Sequence, residues 1–383
     1  MVLHFAREEY DARVKKTLES MEAAGIDGLL MFRQESMYYL TGYDTTGFVM
    51  FQCLVLRSDG RMALLTRSAD LRQAAYTSTI EDVRVWVDSD TTDPYSDLAR
   101  LVGEMGLTGK RIGVELEAYG LNAAHWEQLK PELDATGTIS DASDLVTRLR
   151  LVKSPPELAF MKNSAELGDA AHRAGRDTAA AGVFTGDVLA AMQGAVFSGD
   201  GDYPATHWIA GSGPSALLVR YHTGRHHLET QDQLMLEYAS SYRHYHTAQM
   251  YTVLIGEVDD EHQAMYDACR EALAACEDAV RPGKTMGEVF DAHARVMDDH
   301  GFRDHRLNAC GYSMGSTFPP NWMDWPMFFH GNPVVIEANM VFFLHMILVN
   351  AETDHGMALG RTVAVTQQGC ESLHRAPLDL VVR

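Results

Sequence analysis

The residues able to do chemistry gather in the second half of this chain. Glu237 closes the run QLMLE, where Leu234 and Leu236 alternate as in a half-buried strand, so its carboxylate is set in apolar surroundings. An acid so placed can pair with a cation or act as a nucleophile. His222 and His246 carry imidazoles that titrate near working pH and can move protons, and His345 lies in the apolar run MVFFLHM. Arg220 or Arg243 can grip a carboxylate in a two-pronged fork. Trp208, Tyr312, Trp322 and Trp325, with Tyr245, can line a site for a small cation. Together these types suit a substrate with a delocalised cation at the carbon to be attacked and a carboxylate elsewhere. Water would be added at that carbon and a nitrogen released.

Each residue also has a plainer reading. A histidine in an apolar strand, such as His246 or His345, is often a hydrogen-bonded core residue. His222 stands near His226 and His227 in what reads as a polar loop. In an acidic chain Arg220 and Arg243 can be structural ion-pair partners, and Trp322 and Trp325 can be wall or core. Tyr312 gains weight from the glycine beside it, since Gly311 lets the backbone pass close to a site. Asp324 suggests only a polar contact.

Strands must position these groups. Arg220 and His222 are two apart, as are His244 and His246, so each pair shares a strand face if extended, and His246 also shares its face with Ala248. Strand patterns cover 233–240, 243–256 and parts of 308–322, 334–350 and 359–373. Helical patterns cover 262–280 and 286–300, with a Pro-Gly stop at 282–283 between them.

The first 150 residues read differently: an amphipathic helix to about Ala24, short apolar strands within 25–32, 53–66 and 111–121, and a helix around Asp97 to Met105. That is a compact α/β domain with a mixed sheet. The join falls at Arg150 to Glu157, where Ser154, Pro155 and Glu157 form a capping-box signature for a new helix. Two domains follow, 1–150 and 151–383, which suits a chain of 383 residues.

A net charge of −21 repels phosphate backbones and sets nucleic acid aside as a partner. No run reaches the length of a membrane span, and the opening MVLHFAREEYDARVKK carries charges where a signal peptide needs apolar residues. The expectation is a soluble cytoplasmic protein acting on a small molecule. The five scattered cysteines contain no CxxC pair and indicate neither disulfides nor a thiolate metal site.

Five phrases in order, LTGYD (40–44), RLRLVKSPPEL (148–158), RPGKTMGEVFDAH (281–293), MVFFLHM (340–346) and RTVAVTQQGCESL (361–373), resemble the creatinase/aminopeptidase P/prolidase superfamily over essentially the whole chain. The resemblance implies a creatinase-like α/β domain followed by a C-terminal pita-bread domain, a curved antiparallel sheet covered by helices. It also implies a homodimer, in which LTGYDTTG is a candidate to complete the partner's site. Metallopeptidases of the superfamily hold two divalent ions with two aspartates, a histidine and two glutamates. Carried over by motif, those positions read Glu237, Ala248, Tyr312, His345 and Gly360. Alanine and glycine have no donor atoms and tyrosine is a poor ligand at neutral pH, so the resemblance implies no two-metal centre. Creatinase works without metal, but its histidine and strand glutamate positions read Arg220 and Met250 here.

A closer resemblance is to the metal-independent ectoine hydrolase branch. It rests on GDYPA (201–205), on Glu237, Ala239, Tyr242, Arg243, Tyr245 and His246 in one register, and on Gly311-Tyr312, Gly315, Pro319-Pro320 and Trp322. The chain departs at His345, Gly360 and Arg361, where a carboxylate is expected. The implied activity is cofactor-free hydrolysis of a C–N bond in a small non-peptide substrate, ectoine or a related cyclic amidine. Open alternatives are a creatinase-type amidinohydrolase, a single divalent metal held by Glu237, His246 and His345, and an inactive binding or scaffold homologue.

Overall fold

The structure, a computed structural model, describes residues 2–220 and 225–383. The chain divides into two compact units, Met1–Arg150 and Leu151–Arg383.

The first unit is built on a six-stranded sheet of β1 (Gly28–Met31), β2 (Cys53–Arg57), β3 (Met62–Arg67), β4 (Asp82–Trp86), β5 (Arg111–Val114) and β6 (Thr138–Asp141), in the order β4-β3-β2-β1-β5-β6. Pairings β1–β2 and β2–β3 are antiparallel and the rest parallel, so the sheet is mixed as expected. Its helices are α1 (Arg7–Ala24), α2 (Gln34–Thr41), α3 (Leu71–Thr77), α4 (Pro94–Glu104), α5 (Ala123–Thr136) and α6 (Ser143–Leu151). Leu30 and Val55 enter one core with Leu101 and Leu129, while Leu29, Met31, Leu54 and Leu56 enter another with Met21 and Met37. Burial on both faces explains why these strands read as continuous apolar runs.

The second unit starts with α7 (Pro155–Thr178), and the expected capping box is present: Ser154 Oγ accepts from the Glu157 N–H, and the Glu157 carboxylate accepts from the Ser154 N–H. Then come α8 (Thr185–Ser198), β7 (Ile209–Ser212), β8 (Asp232–Tyr242), β9 (Tyr245–Ile255), α9 (Asp260–Ala279) and α10 (Met286–Asp299). The chain ends with β10 (Gly311–Ser313), β11 (Asp324–Met327), β12 (Val341–Asn350), β13 (His355–Val365), β14 (Cys370–Ser372) and β15 (Val381–Val382). The sheet runs β11-β10-β12-β13-β9-β8-β7, with β14 on β13 and β15 on β9.

Strand period decides which side chains meet the helices. Phe342, Leu344, Met346 and Leu348 of β12 join the core with Met265, Leu273, Val289 and Phe290 of α9 and α10. Tyr238 of β8 reaches the Gly168 carbonyl on α7, and Tyr251 of β9 reaches the His172 carbonyl. Glu237, Phe343 and His345 therefore point to the opposite face. The β8–β9 hairpin turns through Arg243 and His244, both at positive φ (52° and 64°), as a two-residue hairpin loop of the right twist requires.

Candidate active site

One row of the sheet organises the site. Glu237 on β8 pairs with Met250 on β9, Met250 with Gly360 on β13, and Gly360 with His345 on β12. On a flat sheet β10 would lie about 19 Å from β8, four strand spacings away. Yet the Tyr312 hydroxyl, on β10, lies 3.4 Å from Glu237 Oε1. The sheet must curl strongly for that contact to form, and it brings Tyr312, which pairs with Phe343 beside the row, opposite Glu237.

The proton positions in this contact follow from donor chemistry. Trp322 Nε1 lies 2.8 Å from the Tyr312 oxygen, and an indole nitrogen can only donate. The Tyr312 oxygen accepts there, which leaves its own proton for Glu237. Burial raises the Glu237 carboxyl to about 7, against the opposing pull of the Tyr312 hydrogen bond and the Arg220 charge. Burial also holds the Tyr312 hydroxyl well above its ordinary value, so the donor keeps its proton. Glu237 is only 8 % exposed, and a carboxyl that changes charge near neutrality is a group able to give or take a proton in turnover.

Beside it, the rings of Tyr312, Phe343 and His345 form a triangle with centroids 5.4 to 5.7 Å apart. Burial lowers His345 to about 4, so its imidazole is neutral at neutral pH. Its Nδ1 is buried and has no hydrogen-bond partner among the described residues. A buried nitrogen of this kind beside Glu237 can take up a polar ligand atom or a water.

The five positions that the superfamily resemblance assigns to metal ligands do not fit a two-ion centre. Ala248 offers no donor, and its backbone is tied on both N–H and carbonyl to the Thr362 hydroxyl, at 2.8 and 2.9 Å. A Cβ on Gly360 would stand 2.7 Å from the Leu344 carbonyl oxygen and 3.0 Å from the Phe343 ring, so the backbone has closed over this position. The Tyr312 hydroxyl is committed to Glu237 and Trp322. Of the carboxylates in the set, Glu237 alone remains.

Several candidate residues are not brought to this group. His246 does share a face with Ala248, but both ring nitrogens are taken: Nε2 accepts from the Ala205 N–H at 2.9 Å and Nδ1 lies 3.0 Å from the Thr317 hydroxyl. Burial drives it to about 3, which makes it a neutral, saturated core histidine and removes it from the Glu237, His246 and His345 metal set. Tyr245 points to the helix side and donates to Glu157 at 2.8 Å. Arg243, at the hairpin tip, pairs with Asp200 at 3.0 Å and Asp202 at 3.4 Å rather than standing ready for a carboxylate. Trp208 spends its N–H on the Ala239 carbonyl, and Trp325 packs against the α9 and α10 core. His222 lies outside the described residues. Arg220 is exposed, and its charge favours the ionised form of Glu237 and the neutral form of His345.

Sequence reasoning missed Phe343 as a wall of the site, although its two-residue spacing from His345 was the signal. It also treated Trp322 as wall or core and overlooked that its N–H sets the direction of the Tyr312 proton.

Residues 159–367 match the metallopeptidase family M24, and residues 13–152 match the creatinase/prolidase N-terminal domain. The chain is 26 % identical over 401 residues to an ectoine hydrolase of Halomonas elongata, covering 100 % of this chain and 99 % of that protein. It is 29 % identical over 396 residues to an uncharacterized hydrolase/peptidase, y4tM, of Sinorhizobium fredii, with the same coverage. A probable dipeptidase PepE of Mycobacterium tuberculosis is 25 % identical over 383 residues, covering 99 % of this chain and 98 % of the relative. Among solved structures, a prolidase from Thermococcus sibiricus superposes with a TM-score of 0.88 at 19 % identity, covering 98 % of this chain and 99 % of that one. The dipeptidase PepE from Mycobacterium ulcerans gives 0.86 at 24 % identity, with 99 % of each chain covered.

Proposed function

This chain belongs to metallopeptidase family M24, with a creatinase-like N-terminal domain and a pita-bread C-terminal domain, and from that membership we propose a hydrolase that has left the family's two-metal chemistry. Its reaction is metal-independent hydrolysis of a C–N bond in a small non-peptide substrate, ectoine or a related cyclic amidine. The observation that carries this reading is the Trp322 to Tyr312 to Glu237 hydrogen-bond chain, built on two of the positions where metal ligands would stand.

Such a substrate presents a delocalised cation at its reacting carbon, and Glu237 is the buried carboxyl that would meet it. A bound amidinium favours the ionised carboxylate, as any nearby cation does. Water adds to the carbon, its proton passes to Glu237, and the same carboxyl returns that proton to the departing nitrogen as the C–N bond breaks. The Tyr312 hydroxyl steadies the carboxylate between these transfers. His345 offers its unpartnered Nδ1 to the water or to a substrate N–H, and Arg220 supplies a cation for the substrate's carboxylate. The likeness to an ectoine hydrolase supports the substrate choice. By the family resemblance, the working form is a homodimer, which sedimentation would check.

The test is ectoine turnover by the full chain before and after stripping with a strong chelator, following the ring-opened acetylated diamino acid. Turnover that survives stripping supports the proposal. Turnover abolished by stripping while the chain stays folded, and restored by zinc or manganese, would overturn metal independence, and cleavage of an X-Pro dipeptide with ectoine untouched would return the chain to peptidase chemistry.

A further inference from the structure

A second cluster stands at the start of α9, away from the Glu237 row. Asp259 caps the helix by accepting from the His262 N–H at 2.8 Å. Its other oxygen, Oδ2, lies 2.6 Å from His262 Nδ1 and 3.2 Å from His355 Nε2.

The protons on both rings can be assigned from their outer partners. Gln233 Nε2 donates to the carbonyls of Gly213 at 3.0 Å and Asp354 at 2.5 Å, and Gln233 Oε1 accepts from the Gly356 N–H at 2.8 Å. That amide oxygen is a fixed acceptor, so His262 Nε2, 2.9 Å away, carries a hydrogen. His355 Nδ1 lies 2.7 Å from the Thr353 carbonyl oxygen and carries a hydrogen for the same reason. A neutral imidazole has one N–H. The inward nitrogens, His262 Nδ1 and His355 Nε2, both meet Asp259 Oδ2: with a proton each donates to it, and without one each offers a lone pair beside the carboxylate. A cation placed among them would displace the inward protons and meet two imidazole nitrogens and a carboxylate oxygen.

We propose that Asp259, His262 and His355 form a binding site for one divalent ion of the zinc class, separate from the catalytic row. Their ligand atoms lie within 4.8 Å of one another, and two imidazoles with a carboxylate are a donor set that suits zinc, cobalt or nickel. Gln233 and Thr353 orient the two rings from outside, as carbonyl partners of metal-bound histidines do. Gln233 and Glu237 are four residues apart on β8, about 13 Å in an extended strand, so the ion would not reach the reacting carbon. It would instead tie together the head of α9, the beginning of β8 and the β12–β13 hairpin.

The experiment is zinc chloride titration of the chelator-stripped full chain by calorimetry, with thermal melting alongside and turnover measured separately. We expect one ion per chain and a higher Tm with zinc. His355→Gln and Asp259→Asn should each weaken binding by more than the roughly 100-fold that loss of an outer partner costs, and His355→Gln should lose the zinc-dependent rise in Tm. Because Asp259 also caps α9, the His355→Gln result decides, supported by the visible spectrum of the cobalt-loaded wild type, which reports nitrogen ligation without any substitution. Glu237→Gln should bind zinc as the wild type does. Absence of stoichiometric binding, binding unchanged in His355→Gln, or binding lost in Glu237→Gln would each overturn the proposal. Since binding and turnover are read independently, failure of this site leaves the metal-independent hydrolase reading standing, and the reverse also holds.

Discussion

Two groups of polar side chains on this sheet are partnered differently. Toward the helices, one set finds close partners: Tyr245 with Glu157, Ser164 with Thr247 at 3.0 Å, Tyr238 with Gln249 at 2.9 Å, and Arg361 in a fork on Glu277 at 2.6 and 2.8 Å, although His172 Nδ1 on α7 is buried without a hydrogen-bond partner among the described residues. On the opposite face, Glu237 holds one long hydrogen bond and a carboxyl raised to about 7, while His345 Nδ1 has no hydrogen-bond partner among the described residues. Polar groups on the first face hold helices to the sheet. Glu237 and His345 differ in their partnering from His246, which shares their face and is saturated, and the proposed function would have a substrate meet them.

The largest effect that would sharpen this contrast is on turnover. Glu237→Gln should lower kcat/KM by roughly 1,000-fold or more, the scale of losing an acid–base group that also pairs with charge, while Tm holds or rises. An unchanged rate would erase the functional meaning of this face. The pH profile refines it: because the carboxyl is raised from 4.5 to about 7, the anion that receives a cation dominates only above about 7, and kcat/KM should climb with unit slope up to that pH. The linkage has the same sign, since a raised carboxyl costs the fold stability as it ionises. Wild type should lose stability relative to Glu237→Gln between pH 4.5 and about 7, as denaturant melts across that window would show.

Trp322→Phe should be smaller, about tenfold in kcat, because the Tyr312 oxygen loses its fixed donor and its proton is no longer directed to Glu237. The kinetic pKa should move upward with it, a shift that loss of packing alone would not produce. Tyr245→Phe should be the mildest: about 1 kcal/mol of stability lost with the Glu157 hydrogen bond, read by chemical denaturation, and kcat unchanged. A large rate effect from this substitution would break the division between the faces.

Much of the architecture was legible because its signals are local. The Ser154 to Glu157 capping box starts α7 where its residue types demand, and the apolar alternation of 233–240 lies within β8. Alternation also carried information that went unused: Tyr245 and His246 are neighbours on β9, so both could not face the same site. The fate of His246 was hidden for another reason. Ala205 and Thr317, which saturate its ring, come from segments 41 and 71 residues away, and no period in the sequence reports such packing. Arg243 was misjudged because its pairing depends on the hairpin turn at positive φ. The curl that brings Tyr312 to Glu237 likewise belongs to the whole sheet and to no single strand.

The closed backbone at Gly360 bears on the engineering of this fold. A single substitution to glutamate there would place a Cβ against a carbonyl and an aromatic ring, so it would damage the strand before it could serve a metal. A glutamate at Gly360 alone would therefore supply no ligand without a shift of β12. Building the family's five-ligand set on this scaffold would take changes at Ala248, Tyr312, His345 and Gly360, and the one at Gly360 would also require Phe343 to move.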